Sequence, residues 1–283
     1  MNDAPKVVLI TGGSSGIGYE AASQLAAKGH KVYAAARRVE MLEPLVSLGV
    51  KALYLDVTDA ESAAACMQAV LDAEGRIDIL VNNAGYGYFG PIECVPIDEA
   101  RKQMETNVFG LSRMSGLVIP VMRAQGSGRI INISSLAGQS PFMYGGWYCV
   151  SKYSVEALSD CMRMELKPFG IDVVKIEPGG IKTAWGHIAA SHLEECTKGT
   201  VYEETGANEA ALLRYGYTGD ILTSPAKVAR DIVRAATSRR PRVRYRPGVG
   251  ARSGKLAYII LPVRWWDALM RLMSKRYKFT EGK

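Results

Sequence analysis

The sequence is poor in cysteine and histidine, and neither residue type is spaced as a metal site requires. It contains five cysteines and three histidines in 283 residues. The cysteines are scattered, with no C-x-x-C pair, and their number is odd. The N-terminal residues Met1–Lys6 include no apolar core of the kind found in signal peptides. These features favour a reduced, cytoplasmic setting and predict that no metal ion is bound.

The sequence also lacks a long hydrophobic run. The longest apolar tract near the C-terminus, Leu256–Val263, contains a proline and is much shorter than the roughly 20 residues that cross a bilayer. Charge is unevenly distributed, since the part from Ser224 onward holds 16 Lys and Arg against three Asp and Glu, within a net charge of +7 for the whole chain. A solvated basic face is the simplest interpretation, and contact with an anionic membrane surface is an alternative. The tail carries no recognisable nucleic-acid-binding motif, so a nucleic-acid partner is not expected.

Short apolar runs alternate with helix-like stretches over the first two thirds of the chain. Most of the runs lack polar alternation, which indicates strands buried on both faces of a parallel sheet. The predicted strands are Val7–Ile10, Lys31–Ala36, Ala52–Leu55, Ile79–Val81, Arg129–Ile133 and Val173–Ile176. Between them, one helix is predicted from Ile17 to Lys28, before Gly29, and another from a capping box at Thr58 and Glu61 to Glu74.

This alternation predicts an α/β fold, in which a single doubly wound, Rossmann-like domain spans residues 1–283. We expect a mainly parallel seven-stranded sheet with helices on both faces. Residues 184–219 show no clean periodicity and are predicted to form a loop at the substrate site. A helix should begin at Ser224-Pro225, because proline is favoured at the first helical position. Residues from about 247 to 283 are predicted to be a basic, amphipathic extension.

A glycine-rich turn connects the first strand to the first helix. The segment reads Thr11-Gly12-Gly13-Ser14-Ser15-Gly16-Ile17-Gly18. A pyrophosphate needs backbone N–H groups at close range, and a helix N-terminus supplies them together with a favourable dipole. The strand before the glycines and the helix after them favour nucleotide binding over an ordinary turn. The candidate phosphate-binding residues are Gly12, Ser14, Ser15, Gly16, Ile17 and Gly18.

The glycine spacing, T-G-x-x-x-G-x-G, resembles that of the short-chain dehydrogenase/reductase family. Further motifs follow in the family's order: Asn82–Gly85 is similar to its N-N-A-G, and Pro178-Gly179 with Thr183 is similar to its P-G segment. The similarity covers about residues 6–185, and the general pattern, including the C-terminal extension, is similar to that of steroid and retinoid dehydrogenase-like members. It implies hydride transfer between a nicotinamide cofactor and a carbonyl or alcohol.

The resemblance also assigns roles to individual residues. It implies a catalytic set of Asn107, Ser135, Tyr148 and Lys152. It implies that the cofactor is bound, beyond the glycine loop, by Asp56, Val57, Asn83, Ala84, Gly85, Tyr148, Lys152, Pro178, Gly179, Ile181 and Thr183. In this family the residue at the end of the second strand selects the cofactor. Ala36 stands there in place of an acidic residue, and Arg37 follows.

An acidic side chain at that position would repel a 2′-phosphate, whereas a guanidinium can bind one through paired hydrogen bonds. The sequence therefore predicts NADP(H) as cofactor, bound by Arg37 with help from the Ser15 hydroxyl. The alternative is that Arg37 and Arg38 simply begin a solvated helix. The glycine loop lacks the basic residue that some NADP-preferring relatives carry.

Tyr148 and Lys152 form a Y-x-x-x-K pair, which places both side chains on one side of a helix. The pair alone is weak evidence for a catalytic role, because about one such pair is expected by chance in this composition. Ser135 precedes Tyr148 at the family's spacing, and the neighbouring Ser134 is a weaker candidate. A free tyrosine has a pKa near 10, and we expect the ammonium of Lys152 and the positive nicotinamide ring together to lower it. Tyr148 would then give its proton to the carbonyl oxygen that Ser135 holds, and Asn107 would hold a water that links Lys152 to solvent.

The substrate side is less specific. Aromatic and sulfur-containing side chains near Tyr148 suit a bulky apolar ketone or alcohol, although core packing or a subunit interface would explain them equally well. They are Phe142, Met143, Tyr144, Trp147 and Trp185, with His187 nearby. A sugar or acyl reductase and a non-catalytic NADP-sensing protein are the alternatives. A homodimer or homotetramer is expected.

The extension shows helical spacing of its charges. Arg264, Asp267, Arg271, Lys275 and Lys278 recur every three or four residues, and Trp265, Trp266, Leu269, Met270, Leu272 and Met273 occupy most of the remaining surface. Such a helix either lies on an anionic membrane, covers the substrate pocket or contacts a second subunit.

Overall fold

A computed structural model describes residues 4–218 and 222–275. Within these residues seven strands form one sheet, and eleven α-helices surround it. The strands are β1 (Val7–Thr11), β2 (Lys31–Ala36), β3 (Lys51–Tyr54), β4 (Ile79–Asn82), β5 (Gly128–Ile133), β6 (Ile171–Ile176) and β7 (Arg244–Tyr245). The helices are α1 (Gly16–Ala26), α2 (Glu43–Val46), α3 (Ala60–Glu74), α4 (Ile97–Met104), α5 (Leu111–Ala124), α6 (Gly146–Leu166), α7 (Trp185–Thr197), α8 (Glu203–Thr218), α9 (Pro225–Thr237), α10 (Ser253–Ile260) and α11 (Val263–Lys275).

The sheet is parallel throughout, in the order β3-β2-β1-β4-β5-β6-β7. This confirms the predicted doubly wound fold. β1 shows why its sequence lacks polar alternation: Val8 and Ile10 pack with α1 and α9 on one face, and Val7 and Leu9 pack with α3 and α5 on the other. The strand order reverses between β1 and β4, and ligands of such sheets bind at the carboxyl ends of the strands at this point.

Two helix boundaries differ from the sequence prediction. α1 ends at Ala26, and Gly29 provides the left-handed residue (φ +82°) of the turn that follows. The predicted capping box is wrong, because Asp59 caps α3 by accepting hydrogen bonds from Glu61 N and Ser62 N. The Thr58 hydroxyl donates to Asp56 Oδ1 at 2.7 Å.

The segment predicted as a loop over residues 184–219 folds, as far as residue 218, into α7 and α8. Its helical periodicity is present but is carried by small residues, which an apolar pattern does not reveal. The buried side of α7 consists of Gly186, Ala189, Ala190, Leu193 and Thr197. β7 was likewise not located from sequence, because this two-residue strand is Arg-Tyr and pairs only with the end of β6.

The C-terminal extension forms α10 and α11. The helix predicted from Arg264 is present, with Arg264, Asp267 and Arg271 exposed, while Lys278 lies outside the described residues. α11 also has a buried contact: Trp266 is 7% exposed, and its indole N–H donates to the carbonyl of Pro141 at 3.0 Å. Across residues 4–218 and 222–275, no helix is long and apolar enough to span a membrane.

Candidate active site

The glycine loop turns directly into the N-terminus of α1, where backbone N–H groups are free to meet an anion. Gly12 has φ +68°, and a Cβ there would lie 2.8 Å from Ala84 Cα. A Cβ on Gly18 would lie 2.4 Å from Asn83 Nδ2, so both positions exclude side chains. Ser15 stands at the N-cap of α1 and is exposed, and within the described structure its side chain makes no capping hydrogen bond. The loop therefore fits a dinucleotide pyrophosphate, with the Ser15 hydroxyl available to it.

Asn83 holds this loop in place. Its Nδ2 donates to the carbonyls of Thr11 and Gly12 at 3.1 and 2.9 Å. In return, Thr11 Oγ1 accepts hydrogen bonds from the backbone N–H groups of Asn83 and Ala84, both at 3.0 Å. The amide of Asn83 thus joins the ends of β1 and β4 across the point where the strand order reverses, and its observed contacts are to backbone.

The residues expected to select the cofactor lie together at the ends of β2 and β3. Ala36 is buried and Arg37 is exposed. Asp56 accepts hydrogen bonds from Thr58 N and Oγ1 at 2.9 and 2.7 Å. Burial acts to raise the pKa of Asp56, but the Thr58 hydrogen bonds and the charges of Arg37 and Arg113 outweigh it and hold that pKa below its usual value. Arg37 is therefore close enough to Asp56 to act on it, beside the buried Val57.

Ser135 and Tyr148 meet at the carboxyl end of β5. Ser135 lies in extended backbone after the strand, and Tyr148 lies in the first turn of α6, close enough for the Ser135 hydroxyl to act on the pKa of the phenol. Ser135 Oγ also accepts from Ala137 N at 3.1 Å. Ser134 is buried, and its hydroxyl has no hydrogen-bond partner among the described residues. The geometry therefore brings Ser135, and not Ser134, to Tyr148.

Lys152 lies one turn after Tyr148 on α6 and is buried. Its Nζ donates to the carbonyl of Ile133 at 2.9 Å and lies 5.8 Å from the centre of the Tyr148 ring. A Cβ on Gly85 would be 3.8 Å from the same nitrogen. Burial lowers the pKa of Lys152 to about 8, and the Glu156 carboxylate acts in the opposite direction.

The side chains alone do not lower the pKa of Tyr148. Burial raises this pKa to about 12, and the interaction with the Ser135 hydroxyl only partly opposes the rise. Lys152 directs its ammonium to the Ile133 carbonyl. The expected lowering depends also on the positive charge of the nicotinamide ring, so it stays a prediction.

Asn107 lies in a π-helical turn, Glu105–Gly110, between α4 and α5. Such turns occur often at functional sites because they shift a side chain or a carbonyl out of helical register. The Asn107 amide accepts from Tyr86 N at 3.0 Å and donates to Tyr86 O at 2.8 Å and Ser151 Oγ at 3.0 Å. A Cβ on Gly85 would lie 2.9 Å from its Oδ1. The side chain thus fixes the Tyr86 backbone beside Lys152, and the expected water relay through Asn107 stays a prediction.

The P-G segment closes the site on its other side. The Pro178 carbonyl accepts from Leu136 N at 2.8 Å, which ties it to the residue after Ser135. A Cβ on Gly179 would lie 2.0 Å from the carbonyl oxygen of Val249, so the C-terminal extension packs directly on this glycine. Ile181 is buried, and the Thr183 methyl would lie 3.3 Å from a Cβ on Gly16. The segment and the glycine loop therefore face each other closely.

Aromatic rings surround Tyr148, and one of them was missed by sequence analysis. Trp185, at the start of α7, lies 5.1 Å from Tyr148 between ring centres, and Phe89 lies 5.8 Å away. Phe89 and Trp185 also contact each other edge to face at 5.4 Å. Phe89 follows the N-N-A-G motif by only a few residues, and no local pattern distinguishes it. Its position shows only in the folded structure, where it contacts Tyr148 of α6 and Trp185 of α7.

Of the other residues predicted on the substrate side, some pack in the apolar cluster around Tyr148 and some lie outside it. Phe142, Met143 and Tyr144 pack in the same apolar cluster as Tyr148, and the Tyr144 hydroxyl donates to Thr205 Oγ1 at 2.7 Å. Trp147 is half-buried and His187 is exposed. Within the described residues, no three His, Cys, Asp or Glu side chains are grouped as a metal site needs.

Solved structures of known proteins have the same fold. A short-chain dehydrogenase from Streptomyces avermitilis is 33% identical, with a TM-score of 0.78, over 95% of this chain and 99% of that one. An alcohol dehydrogenase from the archaeon Thermococcus sibiricus, complexed with 5-hydroxy-NADP, is 25% identical, with a TM-score of 0.69, over 86% and 96%. A 3-ketoacyl-(acyl-carrier-protein) reductase from Brucella melitensis, complexed with NADH, is 25% identical, with a TM-score of 0.70, over 84% and 92%.

Sequence relatives agree with the structural ones. A probable short-chain type dehydrogenase/reductase of Helicobacter pylori is 35% identical over 94% of this chain and 97% of its own length. A 3-ketodihydrosphingosine reductase of Bacteroides thetaiotaomicron is 39% identical over 64% and 66%. Retinol dehydrogenase 16 of Rattus norvegicus is 34% identical over 96% and 89%. The short chain dehydrogenase family model matches residues 6–192, and the chain therefore belongs to the short-chain dehydrogenase/reductase family of oxidoreductases.

Proposed function

We propose that this oxidoreductase uses NADP(H) to interconvert a carbonyl and an alcohol on a bulky, apolar substrate. The observation that carries the proposal is the position of Tyr148. Its hydroxyl is close enough to Ser135 for that residue to act on its pKa, apolar rings lie against it, and the buried Lys152 lies one helical turn away.

The catalytic residues act on the substrate oxygen. A nicotinamide supplies or accepts the hydride when it is bound. In the reductive direction the Tyr148 hydroxyl gives its proton to the carbonyl oxygen, and Ser135 donates a hydrogen bond to that oxygen as negative charge develops there. Lys152, buried beside Gly85, holds a positive charge near the phenol and would bind the ribose hydroxyls of the cofactor. The apolar rings of Phe89 and Trp185 keep water from the reacting atoms.

NADP(H) is favoured by charge at the end of β2. No carboxylate lies at Ala36 to repel a 2′-phosphate, and the exposed Arg37 is available to bind it. The Asp56 carboxylate is hydrogen-bonded to Thr58 and forms no ion pair with Arg37 within the described structure. The Arg37 guanidinium can therefore bind a phosphate without first breaking an ion pair with Asp56.

A bulky, apolar substrate is favoured by what lines the site. Phe89, Phe142 and Trp185 offer large apolar surfaces around a few polar groups, the usual composition of sites for such ligands. Two relatives act, by name, on a sphingoid ketone and on retinol, which are long apolar molecules with one polar end. Their names support the substrate class and do not identify the compound.

We also propose a homodimer or homotetramer. Phe109, Val150 and Tyr153 are exposed apolar side chains on the π-helical turn and α6, and a second copy would bury them. Sedimentation equilibrium tests this directly, and a monomer at working concentration would refute it.

The test of the activity is a panel of steroid, retinoid, long-chain, sugar and acyl carbonyls and alcohols, with NADPH, NADH and their oxidised forms, read as nicotinamide absorbance. We expect turnover with NADPH on the long apolar ketones. Cofactor binding without turnover on any substrate would refute the enzymatic proposal, and a preference for sugars would refute the substrate class alone.

A further inference from the structure

The outer side of α10 and α11 is an apolar ridge that nothing in the described structure covers. Each of its members is between 51% and 69% exposed. The ridge consists of Leu256, Ile259, Ile260, Val263, Trp265, Leu272 and Met273. A surface helix normally turns its i, i+3, i+4 apolar stripe inward, but on α10 that stripe, Leu256, Ile259 and Ile260, faces solvent. Large contiguous apolar patches of this kind mark binding surfaces.

The inner side of the same two helices is fixed to the protein body. A Cβ on Gly254 would lie 3.0 Å from Leu136, and Lys255 donates to Gln139. Trp266 donates to the carbonyl of Pro141 and packs edge to face on Tyr258 at 5.2 Å. All of these contacts except the one between Trp266 and Tyr258 are to the segment that connects Ser135 to Tyr148. The ridge is therefore fixed in place on the protein body and is not part of a detached tail. It lies on the side of the molecule that carries the candidate site.

Basic side chains run beside the ridge. On α11, Arg264 and Arg271 precede Trp265 and Leu272 by one residue each, which places the two rows about 100° apart around the helix. Both rows are exposed. Arg252 adds a third exposed cation before α10. From residue 247 to 275 the sequence contains five Lys or Arg and one acidic residue, Asp267.

We propose that this ridge docks on an anionic lipid surface, with the apolar row in the acyl boundary and the arginines among the headgroups. Tryptophan beside arginine suits the boundary between headgroup and acyl layers. A second copy of the chain fits less well, because a two-fold contact through this face would bring the two basic rows together. The docking does not depend on the proposed activity, since it is measured without substrate.

The test is sedimentation of the full-length protein with two kinds of vesicle, one of phosphatidylcholine alone and one of phosphatidylcholine with phosphatidylglycerol. We expect binding to the anionic vesicles at low salt, weaker binding at high salt as exposed charges are screened, and little binding to the neutral vesicles. The combined variant Arg264→Ala/Arg271→Ala should lower the partition coefficient about thirtyfold. The combined variant Ile259→Ser/Trp265→Ser should lower it at least about tenfold.

Matched controls remove the same kinds of side chain elsewhere. Leu48→Ser/Val201→Ser removes two exposed apolar side chains, and Lys198→Ala/Arg230→Ala removes two exposed cations. Both controls should bind vesicles as the unmodified protein does. The proposal is overturned if the unmodified protein does not sediment with anionic vesicles at low salt, or if controls and ridge variants behave alike. It is also overturned if Ile259→Ser/Trp265→Ser turns a dimer into a monomer and leaves vesicle binding unchanged, since a second copy would then occupy the ridge.

Discussion

Lys175 and Glu156 form a buried ion pair behind the candidate site, with 2.8 Å between Nζ and Oε2. Lys175 lies in β6 and is 1% exposed, and Glu156 lies in α6 one turn after Lys152. Asp160, one turn further, also pairs with Lys175 at 2.8 Å. One side of α6 thus carries, one turn apart, Tyr148, Lys152, Glu156 and Asp160. The negative charge of Glu156 acts on the pKa of Lys152.

This relationship predicts a change in pH dependence. Burial lowers the pKa of Lys152 to about 8, and Glu156 opposes that lowering. Activity that needs the charged Lys152 should decline as pH rises through about 8. Glu156→Gln removes the opposing charge, so the same decline should move to lower pH. The measurement is kcat/KM against pH with saturating NADPH.

Asp160→Asn is the matched control for this experiment. It also removes a carboxylate that pairs with Lys175, but Asp160 does not act on the pKa of Lys152. The kcat/KM of Asp160→Asn should decline over the same alkaline pH range as that of the unmodified enzyme. Identical profiles for Glu156→Gln and the unmodified enzyme would show that Glu156 has only a structural role.

Tyr148→Phe should abolish most of the catalysis. The change removes the transferable proton and keeps the ring, so kcat should fall by at least the ~10²-fold typical of general acid–base catalysis. NADPH binding, followed by fluorescence, should survive. Tyr153→Phe, an exposed tyrosine on the same helix, is the control and should keep near-normal turnover. Retained turnover in Tyr148→Phe would contradict the mechanism.

Cofactor preference should depend on the end of β2. We expect kcat/KM with NADPH to exceed that with NADH at least about tenfold, which corresponds to about 1.4 kcal/mol. Arg37→Ala should erode this ratio, and Ala36→Asp should reverse it by repelling the 2′-phosphate. Arg38→Ala, an exposed neighbour, should leave the ratio unchanged. Equal use of NADPH and NADH by the unmodified enzyme would rule out the assignment.

Trp185 should determine how well large apolar substrates bind. Trp185→Ala removes a ring that packs on Tyr148 and Phe89, so KM for long apolar ketones should rise at least about tenfold while cofactor affinity stays the same. Ile188→Ala, on the solvent side of α7, is the control. If both variants change KM equally, the ring is not part of the substrate site.

Local sequence patterns were sufficient for much of the fold and for the order of the site residues. Six of the seven strands were found because strands buried on both faces read as uninterrupted apolar runs. The glycine loop was recognisable because side chains cannot be accommodated at Gly12 and Gly18. Tyr148 and Lys152 were paired because positions four apart on a helix face the same way.

Contacts between distant parts of the chain were decided only by the tertiary structure. Phe89 is part of the site because it contacts both Tyr148 of α6 and Trp185 of α7, and Gly179 meets Val249 because the extension returns to the sheet. The cost of burying Lys175 is offset by Glu156 and Asp160, whose carboxylates only the packing of α6 on β6 brings within 2.8 Å. Periodicity within one segment records which side of it is buried, but not which residue of another segment it will meet, because that depends on how whole helices pack on the sheet.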